Sequence, residues 1–156
     1  MKTGMLRKIF LRIVVLIPAI FMACLIFGFS AQNGSSSTGV SNRFIAMVFH
    51  TDNPEFIEKV EMPVRKLAHF TEYMIFSFTV YIALKVWQVS AKRIYFVTII
   101  LVGLFACSDE IHQLFVPERA GRIVDVIIDT MGAVAGMLIV RGIRKLRKVE
   151  SVCADI

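Results

Sequence analysis

Between Ile9 and Phe29 the chain runs for 21 residues with one ionisable side chain, Arg12. Three further segments are nearly as apolar: Leu67 to Trp87, Ile94 to about Phe115, and Ile123 to about Val140. A helix needs about 20 such residues to cross a hydrocarbon core of about 30 Å. A chain of 156 residues with 56% apolar content is long enough for one compact domain and too apolar for an ordinary soluble one. The expected fold is therefore an all-α membrane protein: one domain over residues 1–156 with four transmembrane helices and a basic tail, 141–156.

The net charge of +6 could point to nucleic acid, but the basic residues flank apolar spans rather than mixing with exposed aromatics. They fit a lipid surface, and no nucleic-acid partner is expected. Cys24 and Cys107 lie in apolar segments and Cys153 in the basic tail, a context for free thiols rather than a disulfide framework or zinc site. Phe21 and Phe29 sit where lipoprotein and signal-peptide cleavage sites prefer other residues, so the first span reads as retained.

Basic residues set the topology. Twelve of the eighteen, at 2–12, 85–93 and 141–148, share one side, which makes both termini cytoplasmic. Arg43, Lys59, Arg65, Lys66, Arg119 and Arg122 fall on the other side with ten of the twelve acids. The outer loop between the first two spans carries Phe44, Ile45, Met47, Val48 and then Phe56, Ile57 and Val60 near helical spacing. Such spacing predicts one or two amphipathic helices, divided at Pro54, with Pro63 starting the second span as a first-turn residue.

The outer ends of the last three spans are polar. Arg65, His69, Glu72 and Tyr73 share one helix face, as do Asp109, His112 and Gln113, and as do Arg122, Asp125 and Asp129. Lipid satisfies none of these groups, so the stripes should face one another inside the bundle, and intramembrane ionisable residues mark candidate functional sites.

The segments Arg65-Lys66-Leu67-Ala68-His69-Phe70-Thr71-Glu72-Tyr73 and Ser108-Asp109-Glu110-Ile111-His112-Gln113 carry a resemblance, joined by Phe115, Pro117, Arg119, Asp125, Gly132 and Gly136 and by the earlier Phe29-Ser30-Ala31-Gln32. Over residues 29 to 136 the chain resembles the VanZ-like membrane family. The resemblance implies a small multi-span protein of the bacterial cytoplasmic membrane and a cell-envelope role linked to resistance against teicoplanin-type glycopeptides. Two positions depart from the family pattern: Glu118 replaces a small residue, often Gly, and Asp129 replaces Asn.

Several uses of this constellation stay open. One is architectural, with Arg65, Arg119 and Arg122 pairing with Glu72, Asp109, Glu110, Asp125 and Asp129 to hold helix register. Another is catalytic, with His69, Glu72, Asp109 and His112 as acid–base groups and Arg65, Tyr73, Glu110, Gln113, Arg119, Arg122 and Asp125 holding a lipid-linked or cell-wall precursor. A third is a binding module for an anionic lipid headgroup or a glycopeptide, without turnover. No cofactor is expected. A divalent metal on His69, Glu72, Asp109 and His112 is a weaker variant, because nearby arginines repel cations. The Gly132–Gly136 pair lets another helix approach closely.

Overall fold

The computed structural model describes residues 2–154, with side chains described over 5–147. It contains six helices: α1 (Lys2–Val14), α2 (Ile17–Ser30), α3 (Gly34–Phe49), α4 (Pro54–Val86), α5 (Ile94–Gln113) and α6 (Ile123–Ala154). Four stretches are long and apolar enough to cross a membrane: Met5–Ser30, Pro54–Val86, Ile94–Gln113 and Ile123–Arg147.

The first span is two helices in sequence. Pro18, in the first turn of α2, has no N–H for the Val14 carbonyl, and the chain turns at Val15 and Leu16 before resuming. Arg12 places its guanidinium 5.8 Å from the Trp87 ring centroid. The Trp87 indole donates to the Arg12 carbonyl at 3.3 Å, which ties the start of this span to the end of α4.

The segment between the first two spans is helical but divides differently from the sequence reading. Asn33 caps α3 by accepting from the Ser36 N–H at 2.9 Å, and His50 ends it in the left-handed region at φ 49°. Asn53 then caps α4, accepting from the amides of Glu55 at 3.0 Å and Phe56 at 3.4 Å, with Pro54 in the first turn. Pro63 was the predicted start of the second span, yet it lies inside α4. The stronger start signal wins: an Asn cap with Pro54 and Glu55 behind it outweighs one backbone bond lost at the exposed Lys59 carbonyl. With 33 residues α4 is about 50 Å long, more than a bilayer core requires.

α6 likewise runs past Val140 without a break, so the basic run from Arg141 continues the same helix. Cys24 and Cys107 are free thiols, while the Cys153 side chain lies outside those described. The core forms where α2, α4, α5 and α6 meet, around Ile26, Tyr73, Phe76, Val102, Ala106 and Ala133. Outward-facing Ile20, Phe21, Leu104 and Leu138 are exposed and apolar, as a lipid-contacting surface requires.

α4 and α6 approach most closely. A Cβ on Gly132 would strike the Phe70 backbone carbonyl, and one on Gly136 would strike the Ser77 hydroxyl and lie 2.9 Å from the Met74 carbonyl. The small-residue pair is thus used inside the monomer. At the opposite end from the polar stripes, Arg144 of α6 donates to the hydroxyls of Tyr81 and Tyr95, each at 3.2 Å, joining α4, α5 and α6.

Candidate functional site

The last turn of α5 buries Asp109, Glu110 and Gln113 where a span should still be apolar. Most of their polar atoms are paired, although Asp109 Oδ1 has no hydrogen-bond partner among the described residues. The Ser30 hydroxyl, at the end of α2, donates to Asp109 Oδ2 at 2.8 Å. Gln113 Nε2 donates to Glu110 Oε1 at 2.9 Å and to Asp109 Oδ2 at 3.3 Å. The other Glu110 oxygen accepts from the Arg122 backbone N–H at 2.8 Å, just before α6 begins, so an acid meets the positive end of a helix dipole. Gly121 makes this approach possible, because a Cβ there would collide with the Glu110 carbonyl.

Beside this buried network lies a polar cleft of about 160 Å³. Arg65, Lys66 and His69 enter it from α4, Arg119 and Arg122 from the α5–α6 loop, and Asp125 and Asp129 from α6. Arg65 pairs with Glu61 at 3.3 Å and Lys66 with Asp125 at 3.6 Å. His69 Nδ1 is 3.9 Å from Asp129 Oδ1, close enough for charge attraction and too far for a hydrogen bond. Both Asp129 oxygens are buried without a hydrogen-bond donor.

Arg119 reaches across to the end of α2, donating from Nε to the Gln32 carbonyl at 3.1 Å and from Nη2 to the Phe29 carbonyl at 3.2 Å. Burial, and next the neighbouring Arg65, pull its guanidinium below its ordinary value. Two like charges share the cleft wall. Among the described residues no carboxylate forms a salt bridge with Arg119 or Arg122.

The loop before Arg119 turns at Glu118, whose φ of 60° lies in the left-handed region. Its carboxylate accepts from the Ser35 backbone N–H at 2.9 Å, and the Pro117 carbonyl accepts from Gly34 N–H at 3.2 Å. The loop thereby fastens the N-terminus of α3. That bond holds the Glu118 carboxyl below the usual carboxylate range.

The sequence-derived site residues separate into groups. Arg65, Glu110, Gln113, Arg119, Arg122 and Asp125 line the cleft with His69. Glu72 faces an adjoining groove instead. Asp109 is fully buried beneath the cleft, and Tyr73 is fully buried in the core against Phe76 and Phe105. His112 turns toward α2, its ring 5.3 Å from that of Phe27. Of the four groups weighed as acid–base or metal partners, His69 and Glu72 both line the groove, Asp109 is buried and His112 faces α2; among the described residues no three His, Cys, Asp or Glu form a metal-holding group. The ion pairs weighed as an architectural network are also not those formed: Arg65 takes Glu61, and Arg119 takes backbone carbonyls.

Ser30, Glu61 and Lys66 are participants that helical spacing did not select. Ser30 belongs to another helix end and is found only through its partner Asp109. The one sequence signal for it was its place in Phe29-Ser30-Ala31-Gln32.

Comparison with known proteins fits this arrangement. The sequence model of the VanZ/LLP1 family matches residues 15–145, most of the chain. The chain belongs to the VanZ/LLP1 family. No curated protein and no solved structure matches it. The matched VanZ/LLP1 region contains the whole cleft, the buried Ser30–Asp109–Gln113 network and the glycine seam between α4 and α6. The left-handed φ at Glu118 favours glycine, and here the strain of a side chain is set against its bond to Ser35.

Proposed function

We propose that this VanZ/LLP1 protein binds the anionic headgroup of a lipid-linked or cell-wall precursor and thereby lowers susceptibility to teicoplanin-type glycopeptides. The site is the cleft of Arg65, Arg119 and Arg122, placed at the outer face of the bacterial cytoplasmic membrane with both termini cytoplasmic. Arg119 and Arg122 carry the reading. Arg119 is half-buried and Arg122 exposed; among the described residues neither has a carboxylate bridge, and their planar forks match phosphate and carboxylate oxygens in two-point contacts. A cleft of about 160 Å³ suits such a headgroup better than a whole glycopeptide, which supports the precursor as the ligand.

Binding is favoured over turnover by what surrounds the charges. Ser108, the nearest hydroxyl nucleophile in the sequence, donates to the Phe105 carbonyl at 2.7 Å and is absent from the cleft lining. His69 beside Asp129 supports the catalytic reading as second choice.

The test is expression in a teicoplanin-susceptible bacterial host. Wild-type protein should raise the inhibitory concentration of teicoplanin, and Arg122→Gln should return it to the vector level with undiminished protein in the membrane. Equal susceptibility for vector, wild type and variant would overturn the proposal. Incubating purified protein with a lipid-linked precursor decides between the two readings: repeated product release makes it an enzyme.

A further inference from the structure

Next to the cleft, α3 and α4 enclose a second cavity of about 610 Å³ whose walls are mainly apolar, among them Val40, Phe44, Val48, Leu67 and Ile75. Both cavities are lined by Arg65, His69 and Arg119, so the apolar groove adjoins the polar cleft at two guanidiniums. We infer that the groove holds the apolar chain of a phosphate-headed membrane lipid, whose headgroup lies at Arg65 and Arg119; this rests on the headgroup-binding reading above.

Three observations select that occupant. The first is charge arrangement: the groove is lined by the guanidiniums of Arg65 and Arg119 as well as by apolar side chains, the complement of an anionic amphiphile. Glu72, Ser37 and Ser41 also line the groove and supply partners for glycerol or sugar hydroxyls. The second is length. From Val64 to Ile75 the α4 wall advances about 16 Å, room for much of an extended acyl chain.

The third is that the groove is part of the fold. α3 is fastened at its start by Gly34 to Pro117 and Ser35 to Glu118, and at its end Phe49 meets Phe56 with ring centroids 5.4 Å apart. Thr38 also donates to Glu61 at 3.1 Å, the carboxylate that holds Arg65. Helix α3 is therefore a fixed wall, and its seat is coupled to the position of the cationic headgroup contact.

The experiment reconstitutes the full chain in phosphatidylcholine nanodiscs containing a phosphatidylglycerol that carries a diazirine in its acyl chain. After irradiation, labelled residues are mapped by mass spectrometry. In parallel, binding of soluble glycerol phosphate to the purified protein reports on the cleft alone. Crosslinks should concentrate on α3 and α4 residues of the groove. Ala68→Trp, which fills it, and Val48→Asp, which makes it polar, should each lower that labelling about tenfold. Neither should change glycerol phosphate binding. If glycerol phosphate binds but labelling is uniform around the bundle and unaffected by both variants, the groove inference falls and the headgroup reading stands. If neither ligand binds, both fall.

Discussion

Gly132→Ala isolates the contact that sets the depth of the whole bundle. A methyl at this position meets the Phe70 carbonyl oxygen well inside contact distance, with the Phe70 carbonyl carbon at 3.1 Å and the Met74 amide nitrogen at 3.3 Å. All three are backbone atoms, so no side chain can rotate away and the helices must separate by about 1 Å. A gap of 0.5–1 Å forfeits a quarter to a half of each dispersion contact, and about 40 contacts of about 0.15 kcal/mol then lose about 1.5–3 kcal/mol. Replacing glycine inside a helix returns about 1 kcal/mol, leaving a net loss of about 0.5–2 kcal/mol.

Gly28→Ala is the control, because nothing lies within 4 Å of a Cβ there. It keeps the propensity gain and should be neutral or stabilising by up to about 1 kcal/mol. The two variants should therefore differ by about 2 kcal/mol, or about thirtyfold in the unfolding equilibrium. Reversible unfolding in mixed micelles, followed by helicity, measures this. Truncating Phe70 should not rescue Gly132→Ala, since the obstacle is its backbone. Gly132→Ala proving as stable as Gly28→Ala would refute the reasoning. The change also reaches the cleft: Phe70 follows His69, so separating α4 from α6 widens the 3.9 Å gap between His69 and Asp129.

Three other outcomes follow from particular contacts. Ser30→Ala and Asp109→Ala each break a buried hydrogen bond, and each should cost about 1–3 kcal/mol in micelle unfolding, with a double-mutant coupling near 1 kcal/mol. Independent, additive effects would show that the pair does not act as a unit. The Glu118 carboxyl is held low in the folded protein, so its contribution is complete above the ordinary value near 4.5 and is lost as pH falls through the lower folded value. The Ser35 amide signal in NMR should titrate with a midpoint below 4.5 and lose that titration in Glu118→Gln; a midpoint at or above 4.5 contradicts the assignment. A cysteine replacing Ser36 should be labelled from outside intact cells by an impermeant reagent while Cys153 is not, and the reverse pattern would put the cleft on the cytoplasmic side.

Hydropathy and spacing carried the secondary structure a long way. Four spans, the division at Pro54, and the shared faces of Arg65 with His69 and of Arg122 with Asp125 and Asp129 follow from local periodicity and turn signals. Pro63 shows where local signals compete. A proline begins a helix or sits within one depending on the strength of the start signal upstream, and Asn53 supplied the stronger one. Helical spacing likewise put His112 on the stripe of Asp109 and Gln113, but a helix face spans a wide arc. Only the position of Phe27 in α2 decided that His112 turns away from the cleft.

What the sequence by itself determined is the class of molecule: apolar runs of spanning length force helices into a bilayer, and the charges at their ends must then find one another. What only the tertiary structure decided is which charges meet. Ion pairing depends on helix rotation and separation within a few ångströms, and those are set by non-local contacts such as Gly132 against the Phe70 backbone and Ser30 against Asp109. Through them Arg65 takes Glu61, Glu110 takes the start of α6, and Arg119 and Arg122 are left facing a cleft without a carboxylate bridge.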